Sequence, residues 1–351
     1  MGKQGKTYIV LLNWNGWADT LECLESVFRS DYPDYRVIVC DNDSQDGSLE
    51  KIKAWADGER RAPQGNPALA YLSRPPSRKP IAYVELDRAG AESGGMHGEE
   101  PPLILIRTGG NLGFAGGNNV GLRYALARGD FAYAWLLNND TVIAADALRR
   151  MVERMKQAPH AGMCGSTLRY YHEPDRIQAR GGVAYCKWRC LGMPIGFLQH
   201  ADRKVKNEEV ERRMSYVIGA SMLVRREFLE EVGLMEEDYF LYFEEFDWVR
   251  RAKGSYGLVY AQESVIYHKE GGSIGTDSAG KQSALSIFYF QRSRVKFLRK
   301  FFKPYLPLFF LRLCLEAARA LARRDFFSLK WSLIALLGID ARKVGREKRA
   351  V

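Results

Sequence analysis

The chain has 351 residues, 46% of them hydrophobic, which is enough apolar material to bury a sizeable core and excludes a disordered protein. Its formal net charge is +10. Residues 285–351 hold 16 Lys and Arg against four Asp and Glu, so the basic character belongs to a C-terminal tail and the preceding chain is slightly acidic. The six cysteines form no CxxC pair, and the apolar run at residues 7–14 is too short for a signal peptide. These features predict a cytoplasmic protein without a zinc site or a disulfide framework.

The first half reads as alternating strand and helix. Residues 8–12 form a continuous apolar run suited to a buried parallel strand, followed by Leu21, Leu24, Val27 and Phe28 at helical spacing. Residues 36–40 predict a second strand that ends in the polar cluster Asp41 to Ser48, and residues 49–55 a second helix. Such alternation implies a parallel sheet with right-handed crossovers. Residues 58–102 lose all periodicity and read as an exposed insertion with a short hairpin near residues 81–86. Regular structure resumes with a strand at 103–107, a glycine-rich turn at 109–119, a helix at 120–127 and a strand at 134–137. In the second half, residues 215–224 predict a strand, 226–232 and 242–251 helices, and 257–267 a strand leading to His268.

Ligands of open parallel sheets bind beyond the carboxyl ends of strands. Three such ends carry polar or glycine-rich residues. Asp41 emerges where its carboxylate could accept the N–H of a base or a ribose hydroxyl, while Asp43, Ser44 and Asp46 suit a turn and a helix cap. The run from Gly109 to Asn119 lacks the dinucleotide and P-loop spacings, but its missing side chains would let backbone N–H groups approach a phosphate or ribose. Asn138-Asn139-Asp140 offers one carboxylate beside two amides. Mg²⁺ and Mn²⁺ take oxygen ligands and often borrow several from substrate phosphates, so one aspartate suffices if a further ligand such as His268, ahead of Gly271-Gly272-Ser273, joins it. The last cluster, Glu244-Glu245-Phe246-Asp247, sits among aromatic residues, as an acidic site in an apolar-walled cleft would.

Taken in order, these segments resemble a family 2 glycosyltransferase with the GT-A fold, of the branch that includes bacterial rhamnosyltransferases. The resemblance rests on Leu12-Asn13-Trp14-Asn15-Gly16, Val39-Cys40-Asp41-Asn42, Asn111-Leu112-Gly113-Phe114-Ala115-Gly116-Gly117-Asn118, Leu137-Asn138-Asn139-Asp140-Thr141, Gly219-Ala220 with Met222 to Arg225, and Tyr242-Phe243-Glu244-Glu245-Phe246-Asp247. It implies an α/β catalytic domain over residues 1–284, with a mostly parallel Rossmann-like sheet flanked by helices. Residues 1–142 would form its nucleotide half, 143–284 its acceptor half, and 285–351 a basic helical appendage.

For the donor side, the resemblance implies contacts from Asn13, Asp41, Asp43 and Asn111, together with Gly113, Gly116 and Asn139. It assigns Asp140 and His268 to a divalent cation, Mg²⁺ or Mn²⁺, Glu245 or Glu244 to the catalytic base, and Asp247 and Trp248 to the acceptor side. Glu245 stands where the family has aspartate, and Asn138 where the metal motif begins with aspartate. The implied reaction is inverting transfer of a sugar from a nucleotide-diphosphate donor, dTDP-rhamnose or a UDP-sugar. The acceptor would be a glycan or lipid-linked glycan in cell-surface polysaccharide synthesis. A non-catalytic nucleotide-sugar binder is the alternative within the same site.

In the tail, Arg312, Glu316, Arg319 and Arg323 form one polar stripe beside Leu308, Phe309, Leu311, Leu313 and Leu315, and Arg312 interrupts the apolar run before a membrane span accumulates. With Lys and Arg on both sides, up to the cluster from Arg342 to Arg349, the tail predicts peripheral attachment to anionic lipid, or a terminal subdomain packed on the enzyme. It carries no zinc, helix-turn-helix or single-strand-binding pattern, so specific nucleic-acid binding is not expected. A homo-oligomer is compatible with these features.

Overall fold

The computed structural model describes residues 5–95, 98–270 and 283–336. Gly271-Gly272-Ser273 and the basic cluster from Arg342 to Arg349 lie outside the described residues. The chain begins with strand β1 (Thr7–Asn13), helix α1 (Trp17–Val27), strand β2 (Tyr35–Asp41) and helix α2 (Ser48–Asp57). It continues through α3 (Ala70–Ser73), β3 (Tyr83–Asp87), α4 (Arg88–Glu92), β4 (Leu103–Arg107), α5 (Gly113–Arg128), β5 (Tyr133–Asn138), β6 (Thr141–Ile143) and α6 (Ala147–Gln157). The second half comprises β7 (Ala161–Tyr170), β8 (Ile177–Arg180), β9 (Gly182–Cys186), β10 (Leu191–Pro194), α7 (Asn207–Glu211), β11 (Tyr216–Val217), β12 (Ser221–Arg225), α8 (Arg226–Val232), α9 (Glu244–Arg251) and β13 (Gly257–His268). Three helices close it: α10 (Ala284–Phe301), α11 (Leu306–Ala322) and α12 (Phe326–Leu336).

Among the described residues the main sheet has ten strands, in the order β3-β4-β2-β1-β5-β12-β7-β13-β6 with β8 beside β7. The five strands from β3 to β5 are all parallel, whereas β12 runs antiparallel to both neighbours. The continuous apolar runs read from the sequence follow from burial on two sides. Ile9, Leu11, Val37 and Val39 face a core shared with α1, α2 and α6, while Tyr8, Val10, Ile38 and Cys40 face a second core under α5 and α8. Because the strand order reverses at β1, the crevice beyond its carboxyl end is open to a ligand.

Residues 58–102 correct the expectation of an exposed insertion with a hairpin. Tyr83 to Asp87 pair in parallel with Leu103 to Arg107, so β3, α4 and β4 form a crossover unit that extends the sheet by an edge strand. Glu85 and Asp87 alternate with Val84 and Leu86, which pack against the second core, and are the charges an unpaired edge commonly carries. Residues 215–224 are likewise not one strand. The chain breaks after Val217, where β11 pairs with β9 in a small three-stranded sheet, and rejoins the main sheet at Ser221. The helix predicted at 120–127 begins at Gly113.

Helix α10 is a packed part of this unit. Phe297 stacks on Phe246 of α9 with ring centroids 4.3 Å apart, within an apolar cluster that also holds Tyr239, Phe243 and Phe302. Elsewhere, helix α5 presses on the sheet through its glycines. A Cβ at Gly121 would lie 2.7 Å from Val10 Cγ1 and 3.1 Å from Cys40 Sγ, both on buried strands. Gly121→Val should therefore destabilise the protein by about 1–3 kcal/mol through overpacking. That exceeds the ~1 kcal/mol a helical glycine forfeits in propensity. A denaturant midpoint at or above wild type would contradict this close helix–sheet contact.

Candidate functional site

The site is built on the carboxyl ends of β1, β2 and β5. Asn13, the last residue of β1, lies opposite Asp41 in the ladder and is fully buried. Its Nδ2 donates to Asp41 Oδ1 at 2.8 Å and to Ser44 Oγ at 3.0 Å. Its Oδ1 accepts from Thr20 Oγ1 at 2.8 Å, and Asn139 Nδ2 donates to the same Thr20 hydroxyl at 2.9 Å. Asp41 Oδ2 accepts the Ser44 backbone N–H at 3.2 Å. One buried amide network thus fixes Asn13, Asp41 and Asn139 on a single ledge, and each partner satisfies a group whose burial would otherwise cost a few kcal/mol.

Asn42, which the sequence reading passed over, ties this ledge to the glycine-rich segment. Its Nδ2 donates to Asn111 Oδ1 at 3.0 Å, and its Oδ1 accepts the Leu112 N–H at 3.0 Å. Gly113 has φ +71 and sits against the Phe240 backbone, whose carbonyl accepts the Phe114 N–H at 2.7 Å. At Gly113 and Gly116 the missing side chains make room for protein: a Cβ at Gly116 would meet Leu112. This close packing gives both glycines a structural reason of their own. Asp43 is exposed in the loop with φ +66, outside the buried network.

Asp140 and His268 meet as expected. His268 Nε2 lies 3.1 Å from Asp140 Oδ1, and both residues are buried. Gln178 on β8 sets the ring. Its amide N–H donates to the Glu270 carboxylate, so its Oε1, 3.0 Å from His268 Nδ1, accepts the ring N–H. Nε2 is thereby turned toward Asp140 and toward Asn138 Nδ2 at 3.4 Å. Among the described residues Asp140 Oδ1 has no well-aligned hydrogen-bond partner.

Burial alone would raise the pKa of Asp140, but the charges of His268 and Lys269 outweigh it and hold the carboxyl below its usual range. Burial would likewise depress His268, and the Asp140 carboxylate reverses this to a net rise. Protonated, the ring pairs with the Asp140 carboxylate; neutral, it and the carboxylate turn two electron-pair donors on one space, which a cation would satisfy. Their 3.1 Å separation is close to the ~3.0 Å between adjacent ligands of an octahedral ion with ~2.1 Å bonds. The pair fits a divalent cation that takes its remaining ligands from substrate and water. Among the described residues no cluster of three or more His, Cys, Asp or Glu surrounds such a point. Lys269, the next residue, pairs with Asp19 at 2.7 Å and Glu22 at 2.6 Å and so ties the end of β13 to α1.

The acidic pair sits in the first turn of α9, after a stretch in which Phe240, Tyr242 and Phe243 all have φ between 61 and 72. That left-handed backbone costs of order 1–3 kcal/mol per residue in general and persists where packing enforces it. Glu245 Oε1 accepts the Gly219 N–H at 3.0 Å, in the break between β11 and β12. A Cβ on Gly219 would strike that carboxylate. Glu244 is buried, and its Oε2 has no hydrogen-bond partner among the described residues. Burial, and then the Glu245 charge, push its pKa well above the carboxylate range; burial also raises Glu245, which backbone N–H groups partly offset.

Asp247 and Trp248, expected on the acceptor side, are instead fully buried structural groups. Asp247 accepts from Tyr239 OH at 2.9 Å and Arg251 Nε at 2.8 Å and pairs with Lys300 at 2.7 Å. Trp248 donates to the Gly233 carbonyl at 2.6 Å. They share the buried face of α9 with Glu244 and Phe246.

The clusters are contiguous. Leu12 pairs with Asn138 across β1 and β5, the Asn138 N–H donates to the Ala220 carbonyl at 3.0 Å, and Gly219 beside it carries Glu245. Of the residues expected here, Asn13, Asp41, Asn111, Asn139, Asp140, His268 and Glu245 therefore lie along one strand-end ledge.

Comparison with known proteins agrees with this arrangement. The family model described as Glycosyl transferase family 2 matches residues 8–75 and 91–233, leaving out the stretch that contains β3. A low-salt glycan biosynthesis hexosyltransferase of Haloferax volcanii is 26% identical over 175 residues, 49% of this chain and 53% of that protein. An N-acetylglucosaminyl-diphospho-decaprenol L-rhamnosyltransferase of Mycobacterium tuberculosis is 26% identical over 208 residues, 52% of this chain and 64% of that protein. The chain thus spans less than two thirds of the length of these relatives.

Among solved structures, the mannosyltransferase PcManGT from Pyrobaculum calidifontis, in complex with GDP-Man and Mn²⁺, superposes with TM-score 0.52 at 15% identity, covering 96% of this chain and 75% of that one. GalNAc-T7 with UDP, GalNAc and Mn²⁺ gives TM-score 0.52 at 13% identity, covering 84% and 48%. At such identities the likeness is one of fold, and that fold is GT-A. With the family model spanning most of the catalytic unit and the same strand ends building the polar ledge, the chain belongs to glycosyl transferase family 2.

Proposed function

We propose that the chain is an inverting glycosyltransferase that moves a sugar from a nucleotide-diphosphate donor, dTDP-rhamnose or a UDP-sugar, to a hydroxyl of a glycan or lipid-linked glycan. The observation that carries this reading is the placement of Glu245, held by the Gly219 N–H one residue from the Ala220 carbonyl that anchors β5. The two relatives, one a glycan-biosynthesis hexosyltransferase and one an N-acetylglucosaminyl-diphospho-decaprenol rhamnosyltransferase, support this acceptor class and a role in cell-surface polysaccharide synthesis; we place the reaction at the cytoplasmic face of the membrane.

In this reading Asp41 accepts from the donor's base or ribose; Asn13 and the Ser44 N–H hold its carboxylate in place, and Asn139 braces Asn13 through Thr20. Asp140 and His268 would hold Mg²⁺ or Mn²⁺, which supplies positive charge to the departing diphosphate. Glu244 remains protonated, because burial and its neighbour's charge disfavour a second anion, so the negative charge resides on Glu245. The N-terminal turn of α9 favours that charge. Glu245 takes the proton of the acceptor hydroxyl as the oxygen attacks the anomeric carbon. The bond from that carbon to the diphosphate oxygen breaks on the opposite face, which inverts the configuration.

Three outcomes are expected. Glu245→Gln should lower kcat by about 10²- to 10⁴-fold, the usual contribution of a positioned base, with the melting temperature little changed; wild-type turnover would remove Glu245 from the mechanism. In a thermal-shift panel of nucleotide sugars, Mn²⁺ should add to the stabilisation given by the correct donor, and Asp140→Ala should abolish that increment. Equal shifts with and without Mn²⁺ in the wild type would count against the cation site.

The third outcome concerns stability and pH. The folded pKa of Glu244 lies above its unfolded value, so its contribution is full below the ordinary carboxylate pKa and is lost as pH rises through the raised one. Glu244→Gln should match wild type near that lower limit and gain on it by up to about 1.4 kcal/mol per pH unit above it. Parallel stability–pH curves for the two proteins would contradict the buried protonated acid.

A further inference from the structure

Helix α11 is mounted with Arg312 and Glu316 toward the protein. Arg294 of α10 is 1% exposed, donates from Nε to the Cys190 carbonyl at 2.9 Å, lies 4.6 Å above the Phe309 ring and reaches toward Glu316, 3.7 Å from Nη1. Arg312 in turn donates to Glu316 at 2.7 Å. These contacts, with buried Phe309 and Leu313, fix the inner face. The outer face of α11 then carries Leu308, Phe310, Leu311, Leu315 and Leu321, with Leu311 60% and Leu321 58% exposed. A helix of a water-soluble surface has the opposite arrangement.

The apolar face does not end with the helix. Phe326 and Phe327 are exposed at the start of α12. At the other end, the tip of the β9–β10 hairpin presents Lys187, Trp188 and Arg189, all exposed. Trp188, 71% exposed, packs edge-on against Tyr305 at 5.2 Å beside the first turn of α11. The flanking charge is predominantly positive, with Asp325 at the α11–α12 corner the acidic exception. Lys303, Arg319, Arg323 and Arg324 are exposed and make no ion pair among the described residues, in contrast to Lys296 and Lys300 of α10, which pair with Asp238 and Asp247. No helix among the described residues is long and apolar enough to cross a membrane.

We propose that this surface, the outer face of α11 with the α11–α12 corner and the 186–190 hairpin tip, lies in the interface of an anionic phospholipid bilayer. The leucines and phenylalanines would enter the acyl boundary, Trp188 would sit at headgroup level, and the arginines and lysines would meet lipid phosphates. The unmatched positive rim is what selects an anionic membrane over an apolar protein partner. The corrected orientation matters here. The stripe read from sequence, Arg312 to Arg323, is divided: Arg312 and Glu316 serve the fold, while Arg319 and Arg323 face outward with the leucines.

The surface is coupled rigidly to the acid pair. Tyr185 of the hairpin, Phe246 of α9, and Phe297 and Phe302 share one aromatic cluster. Attachment would therefore set the distance of Glu245 from the bilayer. The proposal goes beyond the catalytic reading and stands or falls without it.

The full chain should co-sediment with phosphatidylcholine vesicles containing phosphatidylglycerol, more weakly as salt is raised, and poorly with phosphatidylcholine alone. Leu311→Glu with Leu315→Glu should weaken binding by about tenfold or more at an unchanged melting temperature, since both side chains are exposed. Brominated lipid should quench a fluorescence component that Trp188→Tyr removes; this second readout remains valid if the double variant folds poorly. Failure of the wild type to bind anionic vesicles, or full binding by the folded double variant, would overturn the proposal. So would a stable dimer in solution that the two glutamates dissociate, because a second copy would then cover the face.

Discussion

The carboxyl ends of β2, β1 and β5 are bridged by one buried amide. Asn13 donates to Asp41 on one side, and on the other its carbonyl oxygen accepts from Thr20, which Asn139 also contacts. An amide is suited to this place because it donates and accepts at once, so neither the carboxylate nor the neighbouring hydroxyl is left unsatisfied. The rest of the site inherits its position from this bridge. Asp140 follows Asn139, His268 is turned to Asp140 by Gln178, and Ala220 is fastened to Asn138. Removing the bridge would strand several buried polar groups at once, whereas losing an exposed contact such as Asp43 would strand none.

Around this ledge the fold accepts local costs where function benefits. Glu244 is buried with no hydrogen-bond partner for Oε2 among the described residues, and the segment before it holds three non-glycine residues in left-handed conformation. Such strain and desolvation survive only where surrounding packing is stronger. Here the packing is aromatic: Phe243 and Phe246 are clamped by Phe297 from α10. The C-terminal helices thus support the acidic helix, and Asp247 contributes through its bonds to Tyr239, Arg251 and Lys300.

The parallel strands were legible in the sequence because burial on both faces demands uninterrupted apolar runs, and the strand-end polar clusters stood out against them. The edge strand β3 was not legible, since the alternation of Val84 and Leu86 with Glu85 and Asp87 is confined to one five-residue strand and each residue pairs with one twenty positions on. Gln178 gave little local signal; a single amide in a four-residue strand acquires meaning only when His268 arrives from ninety residues away. Asp247 and Trp248 were misplaced because what packs against α9 is not local: both share the buried face with Glu244, and Tyr239, Lys300 and the Gly233 carbonyl take their polar groups.

By itself the sequence determined the doubly covered parallel sheet, the polar strand ends and the concentration of positive charge in the tail, all of which depend on composition and short-range period. Tertiary structure decided which of those polar groups meet, which glutamate keeps an exposed edge, why Gly113 and Gly219 must be glycine, and which side of α11 faces outward. These are matters of non-local contact: a residue's chemistry can be read from its type, but its direction is set by whatever packs against it, and for Arg294, Gly219 and Gln178 those partners lie far along the chain.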